Sequence, residues 1–292
     1  MEWIEETVDD YWHVYSDGKR ADIPFLTDED KIYARNSVAI CAFVSGVTIL
    51  VVTVNETHLH CLVRAKEEQA IRFKEALRLR LISYYKRGGR GELLGEGLFL
   101  ACDPVLTKTK VKQKFMYVFR NCLDFFPGVP WSYPWGSGNI YFTRSEQKGE
   151  PLAKWSVRQQ RELLQTKVQL PQDWKMTVDG ALVPASFIDY EQVERLFVSV
   201  RAFLAFLYVR KEDEAAMKQE VSHRYVEQRV MEDIRGKGNK ISHNLCGMGL
   251  LKASFEIRLK VAGKMIKDRL CGKSETLAKA LYLKREDLER LL

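Results

Sequence analysis

The stretch Val51-Val52-Thr53-Val54-Asn55-Glu56-Thr57-His58-Leu59-His60-Cys61-Leu62-Val63 constrains this chain more than any other. Apolar β-formers flank two of the protein's five histidines, which stand one residue apart. In a strand, residues i and i+2 share a face. His58 and His60 are therefore expected side by side on one face of a sheet, with Leu59 and Cys61 turned the other way into packing. Two neutral imidazoles on one rigid surface form half of a metal site. The alternative is a structural pair on a half-exposed strand, and only the rest of the chain can discriminate between the two.

Strands and helices alternate around this stretch. Tyr11 to Ser16 reads as a first strand, stopped by Asp17-Gly18-Lys19. His13, alone among aromatics, reads as structural. Thr27-Asp28-Glu29-Asp30 has the form of an N-cap with an acidic first turn, so a helix should run to about Phe43. Gly46 to Val54 reads as a second strand. After the turn Asn55-Glu56-Thr57, the histidine strand runs from His58 to Arg64. Lys66 to Lys86 follows as a long helix, with Ile71, Phe73, Leu77 and Tyr85 among its core positions. Its cations include Arg78 and Lys86, and Arg87 follows; they form a solvated face or a phosphate-contacting one. Gly88-Gly89-Arg90-Gly91 follows a helix rather than a strand, so its context is not that of a P-loop. The β-α-β-β-α order predicts an α+β fold, a split β-α-β antiparallel sheet of ferredoxin-like type with helices on one face.

Lys108, Lys110, Lys112 and Lys114 alternate after Asp103-Pro104. In an extended segment all four would share a face and could track phosphates; the first half of this segment is expected to be extended. Phe115 to Leu123 reads as helix, so Tyr117 and Asn121, at i and i+4, should point the same way. Pro127-Gly128-Val129-Pro130 breaks it, and a turn-rich Trp131 to Gly138 follows.

The pattern changes near Lys148-Gly149-Glu150-Pro151. Residues 1–150 read as the first domain, 151–188 as a linker or loop region, and 189–292 as a helical domain. Helices are expected over about 155–165, 189–210, 213–235, 249–270, 274–282 and 284–292. The last two, joined by a tight connection and preceded by a basic helix, suit a helix-turn-helix. A plain helical bundle gives the same pattern.

Hydrophobic residues make up 46% and charged residues 29% of the 292, enough for a real core. No apolar run approaches the roughly 20 residues of a membrane span, and the acidic start lacks the regions of a signal peptide. Six scattered cysteines without a C-x-x-C pair suit reduced core positions in a cytosolic protein. The net charge of +7 permits a polyanionic partner without requiring one.

If His58 and His60 hold a divalent metal, a third ligand is needed, and Asn121 could supply a carbonyl oxygen. Tyr117, one turn away, would then lie near the metal. A tyrosine there has one obvious use, as a nucleophile, with the metal polarising the phosphoryl group under attack. The other reading of Tyr117 is a core aromatic among Phe115, Met116, Val118 and Phe119. Asn121 could equally be a cap or a buried hydrogen-bonding residue.

Several segments resemble a known family. Val54 to Val63 resembles the His-hydrophobic-His (HUH) motif of single-tyrosine transposases. Tyr117-Val118-Phe119-Arg120-Asn121-Cys122 is similar to the Tyr-Ile-x-x-Asn-Pro element of their REP-associated branch, and Tyr133-Pro134-Trp135-Gly136-Ser137 to the Tyr-Pro-Trp-Ser element that follows it. His13 to Gly18 is similar to that branch's opening strand and turn. The resemblance covers about residues 10–145. It implies Tyr117 as nucleophile, His58, His60 and Asn121 as ligands of Mg2+ or Mn2+, and single-stranded DNA with hairpin or repeat ends as substrate. Lys108, Lys110, Lys112, Lys114, Arg78, Lys86, Arg87 and Arg90 would contact that DNA. It also implies a bacterial cytoplasm with the protein on the nucleoid, and no membrane or small-molecule substrate. Monomer and homodimer both stay open, with Tyr117 serving its own histidines or a second copy's. The ligands alone do not settle the metal, because two imidazoles suit zinc as well. Two departures stand out: Glu56-Thr57 precedes the first histidine where the family has Pro-Asn, and Cys122 follows Asn121 where it has Pro. The rivals are a single-stranded-DNA-binding regulator on the same fold and an unrelated α+β protein with a structural histidine pair and a helical protein-interaction domain.

Overall fold

The computed structural model describes residues 6–16, 24–94, 98–124, 126–143, 147–207, 233–268 and 274–289. The turn at Asp17-Gly18-Lys19, most of the helix expected over 213–235, and Cys271 lie outside the described residues.

Strands β1 (Tyr11–Ser16), β2 (Thr48–Val54), β3 (Leu59–Arg64) and β4 (Leu100–Pro104) form one antiparallel sheet in the order β2-β3-β1-β4. Helix α1 (Asp28–Ser45) joins β1 to β2, and α2 (Glu67–Arg87) joins β3 to β4. Local chemistry explains the ends of α1. The Thr27 hydroxyl accepts from the Asp30 backbone N–H and the Asp30 carboxylate accepts from the Thr27 N–H, a closed capping box. Gly46 ends the helix at φ 67°, a left-handed conformation that costs other residues more.

β4 was not anticipated. Its five residues, Leu-Ala-Cys-Asp-Pro, carry little intrinsic strand preference. Pairing along β1, with Val14 opposite Cys102 and His13 opposite Asp103, creates the strand.

The strand registers sort the sheet into two faces. Tyr15 pairs with His60 and Thr53 pairs with His60, so Tyr15, His13, Thr53, His60 and Asp103 lie on one face. Val14, Leu59, Cys61 and Val63 lie on the other and are fully buried. Helix α2 sits by this apolar face, close enough for the Lys74 ammonium to act on the Cys102 thiol. Helix α3 (Lys108–Arg120) crosses the histidine face, where the Thr53 hydroxyl donates to the Val118 carbonyl at 2.8 Å. The expectation of helices on one face alone is thus corrected: the tyrosine helix needs the histidine side, and the other two take the apolar side.

The outer edge of β2 is strapped by residues 133–141. Tyr133 and Tyr141 hydroxyls donate to the Val54 and Leu50 carbonyls, the Val54 N–H donates to the Trp135 carbonyl, and Ser137 Oγ bonds Val52 on both sides. An open edge is thereby closed to further pairing.

The chain divides into a unit over residues 1–215 and a second over 216–292. Residues 151–188, expected as a linker, pack into the first unit. Leu152, Leu164, Leu170, Met176 and Leu182 form one apolar cluster with Ala39 and Ile40 of α1. The buried Asn36 amide ties them down, donating to the Gly180 carbonyl at 2.7 Å and accepting from Leu182 N–H at 2.9 Å. Within this region α4 spans Val157–Leu164, and the short strands β5 (Glu150–Pro151) and β6 (Lys175–Met176) pair.

The helix expected over 189–210 is two helices, α5 (Tyr190–Phe197) and α6 (Val200–Leu207). Val198 between them sits at φ 68°. A straight helix would turn Phe197 and Phe203 to different sides. The break lets both rings meet Phe115 of α3, at 5.3 and 6.0 Å between centroids.

In the second unit, α7 (233–246), α8 (Phe255–Lys267), α9 (Ser274–Ala280) and α10 (Arg285–Glu289) enclose a core of Ile234, Leu250, Val261, Ala262, Met265, Leu277, Leu281 and Leu288. Among the described residues, no helix is long and apolar enough to cross a membrane.

Candidate active site

The hairpin β2–β3 and the C-terminal end of α3 build the site. Asn55 ends the hairpin's first limb, where its backbone N–H donates to the His58 carbonyl at 2.8 Å. This tight turn delivers His58 just before β3 and His60 within it. Their rings stand 4.9 Å apart, edge to face, as the i, i+2 spacing requires. His60 is buried and His58 half-buried.

Asn121 is the C-cap of α3, opening a 3-10 turn over Asn121–Asp124. Its Oδ1 stands 2.8 Å from His58 Nε2. Tyr117, one turn earlier, packs its ring edge-on to His60 at 5.4 Å and to His13 at 5.9 Å. Two histidines, the tyrosine and the asparagine named from the sequence are therefore gathered within one chain.

The sequence reading missed three contributors. His13, taken as structural, is fully buried, and its Nε2 lies 3.1 Å from His60 Nδ1. The hydrogen bond that engages one nitrogen of an imidazole fixes the tautomer and hence the role of the other. Tyr15 stacks on His13 at 4.5 Å and donates to the Asp103 carboxylate at 3.1 Å, so β1 and β4 back the site. Thr57 Oγ1 lies 2.8 Å from His58 Nδ1. The period-2 pattern could have placed His13 on the face of Tyr15, but only the strand register brings that face to His60.

The basic residues separate into groups. The lysine segment is helical from Lys108, N-capped by Thr107, and not extended. The four lysines therefore do not share a face. Lys108 and Lys112 lie on one side; Lys108 pairs with Glu6 at 3.0 Å and Lys112 lies over the Phe206 ring. Lys110, Lys114, Tyr117 and Asn121, at i, i+4, i+7 and i+11, form a single stripe. Lys114 Nζ lies 5.2 Å from the Tyr117 ring centroid. Arg78, Lys86, Arg87 and Arg90 belong to α2 and its exit, on the apolar side of the sheet, and do not join the site. Arg78 pairs with Glu75 at 3.2 Å, Arg87 donates to Gln165 at 3.2 Å, and Lys86 is exposed. Arg90 grips the buried Asp30 carboxylate with both Nη atoms, at 2.7 and 3.1 Å.

Among the described residues, no three His, Cys, Asp or Glu side chains converge as a metal cluster. The donor set at the site is two imidazoles and a carboxamide. Cis ligands on a cation bound at about 2.1 Å stand about 3 Å apart, and the 2.8 Å between His58 Nε2 and Asn121 Oδ1 fits that separation. All three groups are neutral, so they suit a cation whose remaining partners, such as a phosphate, bring the negative charge. Three of the cysteines are poor thiolates: burial pushes the Cys41 thiol up to about 11 and Cys102 to about 12, and raises Cys61 further.

No family model and no curated protein matches the sequence. Among solved structures, the chain is similar to one described as the REP-associated tyrosine transposase bound to a REP hairpin. The identity is 10% and the TM-score 0.33, over 47% of this chain and 82% of that one. A likeness of that size does not assign a family.

Proposed function

We propose that this protein cleaves and rejoins single-stranded DNA at hairpin-bearing ends through a covalent 5′-phosphotyrosine on Tyr117. One observation carries the reading: Tyr117, His60, His58 and Asn121 meet on one sheet face, with the tyrosine ring 5.4 Å from His60 and Asn121 Oδ1 2.8 Å from His58. The β1-α1-β2-β3-α2-β4 order with strand order β2-β3-β1-β4 supports a ferredoxin-like nuclease core over about residues 1–150. The helical part from 189 on would then add DNA contacts, its last helices serving as a helix-turn-helix.

Tyr117 Oη attacks the phosphorus, the P–O3′ bond breaks, and the strand leaves with a free 3′-hydroxyl. The phenol's proton passes to solvent and the departing 3′-oxygen takes one up. The new phosphodiester keeps the bond energy, so the reverse attack by a 3′-hydroxyl rejoins strands without ATP. A free phenol is a weak nucleophile near neutral pH, and Lys114 Nζ lies 5.2 Å from the Tyr117 ring centroid. His58, His60 and Asn121 would hold Mg2+ or Mn2+, which polarises the phosphoryl group when bound. His13 holds His60 in one tautomer, and Lys110 and Lys114 lead the phosphate chain along the α3 stripe to Tyr117.

A second reading has one observation of its own. Tyr117 is only 3% exposed, as a packing aromatic would be. On that reading the protein binds single-stranded DNA without cutting it. For cleavage, the Tyr117 hydroxyl has to become accessible to a phosphate.

A 5′-labelled single-stranded hairpin oligonucleotide, incubated with Mn2+ or EDTA and run on a denaturing gel, separates the two. Metal-dependent nicking by the wild type, lost in Tyr117→Phe by at least about a thousandfold, is the expected result. Tight, salt-sensitive binding with no nicking would support the binder instead.

A further inference from the structure

We infer that Asn55 is a positioning residue that sets which end of the Asn121 carboxamide faces His58. This rests on the proposed role of Asn121 as an oxygen donor in the site. An asparagine can serve that role only with its oxygen, and the two ends of the amide have nearly the same shape. Something must therefore distinguish them.

Asn55 does so through a short chain of donors and acceptors. Its side chain is completely buried. Its Nδ2 donates to Asn121 Oδ1 and lies 3.4 Å from the Asn121 backbone carbonyl. The backbone carbonyl cannot rotate, and it accepts only. It therefore selects the NH2 end of Asn55. That NH2 in turn donates only to an oxygen opposite it; a turned Asn121 would set NH2 against NH2. Asn55 Nδ2 also lies 3.2 Å from His58 Nε2, but its two hydrogens are taken by the Asn121 side-chain and backbone oxygens. With Oδ1 so fixed, 2.8 Å from His58 Nε2, the metal-free His58 carries its proton on Nε2 and donates it to Oδ1. Thr57 Oγ1, at 2.8 Å from Nδ1, can then donate to that nitrogen.

The arrangement is not one that stability alone selects. Asn55 Oδ1 is buried and finds no hydrogen-bond partner among the described residues. Such a group destabilises the fold. A residue that served only the turn would need no NH2 at this place, because the turn is held by the Asn55 backbone N–H on the His58 carbonyl.

The test uses the full chain and reads two quantities. The first is the His58 tautomer in the metal-free protein, from long-range 15N–1H spectra of the histidine rings. The second is Mn2+ affinity, from the free Mn2+ signal in electron paramagnetic resonance. Asn55→Leu and Asn55→Ser, which removes the amide but keeps a turn-forming residue, are compared with Asn121→Ala and the double variants. The expected result is a shift of His58 away from the Nε2–H form and a loss of Mn2+ affinity of about tenfold or more, with no further loss when Asn55→Leu is added to Asn121→Ala. An unchanged tautomer in both Asn55 variants, or an equal loss of affinity in the Asn121→Ala background, overturns the inference. Should the wild type bind no Mn2+, the metal reading fails and the tautomer alone decides the role of Asn55.

Discussion

His13 shows how a site residue can look inert in sequence. It lies fully buried with Nε2 3.1 Å from His60 Nδ1, so its removal leaves a buried ring nitrogen without that partner. His13→Phe is expected to slow nicking about 10- to 100-fold and to destabilise the fold by about 1–3 kcal/mol. Cleavage kinetics and thermal melts read the two effects separately. A melt shifted without any loss of rate would leave His13 purely structural. The residues that carry chemistry by their own spacing, His58 with His60 and Tyr117 with Asn121, were legible because helix and strand periods fix which side chains share a face. His13 and Asn55 were not. His13 reaches His60 through strand pairing between distant segments, and Asn55, although in the turn beside His58, finds its partner Asn121 66 positions later; no local period encodes either contact.

At the scale of elements, the basic residues divide by which side of the sheet their helix covers. Lys110 and Lys114 lie on the Tyr117 stripe of α3, whereas Lys108 and Lys112 face away. Removing the first pair should lower the salt slope of single-stranded DNA binding by about 1.4, for two phosphate contacts at about 0.7 each. Removing the second pair should change it much less, as fluorescence anisotropy over a salt series would report. Equal effects of the two pairs would contradict the stripe.

Arg90 belongs to a different task. It joins Tyr84 on Asp30, pinning the exit of α2 to the first turn of α1. Burial raises the Asp30 carboxyl, but hydrogen bonds from Arg90, Tyr84 and Thr27 outweigh it and hold the group below its ordinary 3.8. A carboxyl lowered in the folded state contributes stability that is complete above its unfolded value and lost as pH falls through the folded one. Asp30→Asn should therefore flatten the fall of melting temperature between about pH 5 and 3, and Asp30→Ala should cost about 2–4 kcal/mol near neutral pH. An acid limb as steep in Asp30→Asn as in the wild type would place the acid sensitivity elsewhere. The helix caps here were readable as Thr27-Asp28-Glu29-Asp30, but the Arg90 partnership was not: a glycine-flanked arginine gives no sign of a carboxylate 60 positions earlier.

For the whole molecule, the strands β1 to β3, the helices α1 and α2 and the second half of α3 could be read from the sequence, while the first half of α3, β4 and the unit boundary could not. β4 exists because β1 offers it a partner. The first unit runs on past residue 150 because Leu152, Leu164 and Met176 bury themselves on Ala39 and Ile40, and Asn36 bonds Gly180 and Leu182. A loop-like composition of turns and prolines conceals that packing. The break at Val198 has no local signal for a similar reason: it brings Phe197 and Phe203 together on Phe115 of α3. What this larger unit supports is a sheet face rigid enough to hold three histidines, an asparagine pair and a tyrosine in register. The most direct measurement is therefore the chemical identity of the attacking atom. Wild-type protein is incubated with Mn2+ and a single-stranded hairpin oligonucleotide, the denatured DNA-linked protein is digested, and the modified peptide is sequenced by mass spectrometry. A phosphodiester on Tyr117 is the expected result. A nucleotide attached to any other residue, or no adduct under conditions where the DNA is bound and Mn2+ is present, would contradict it.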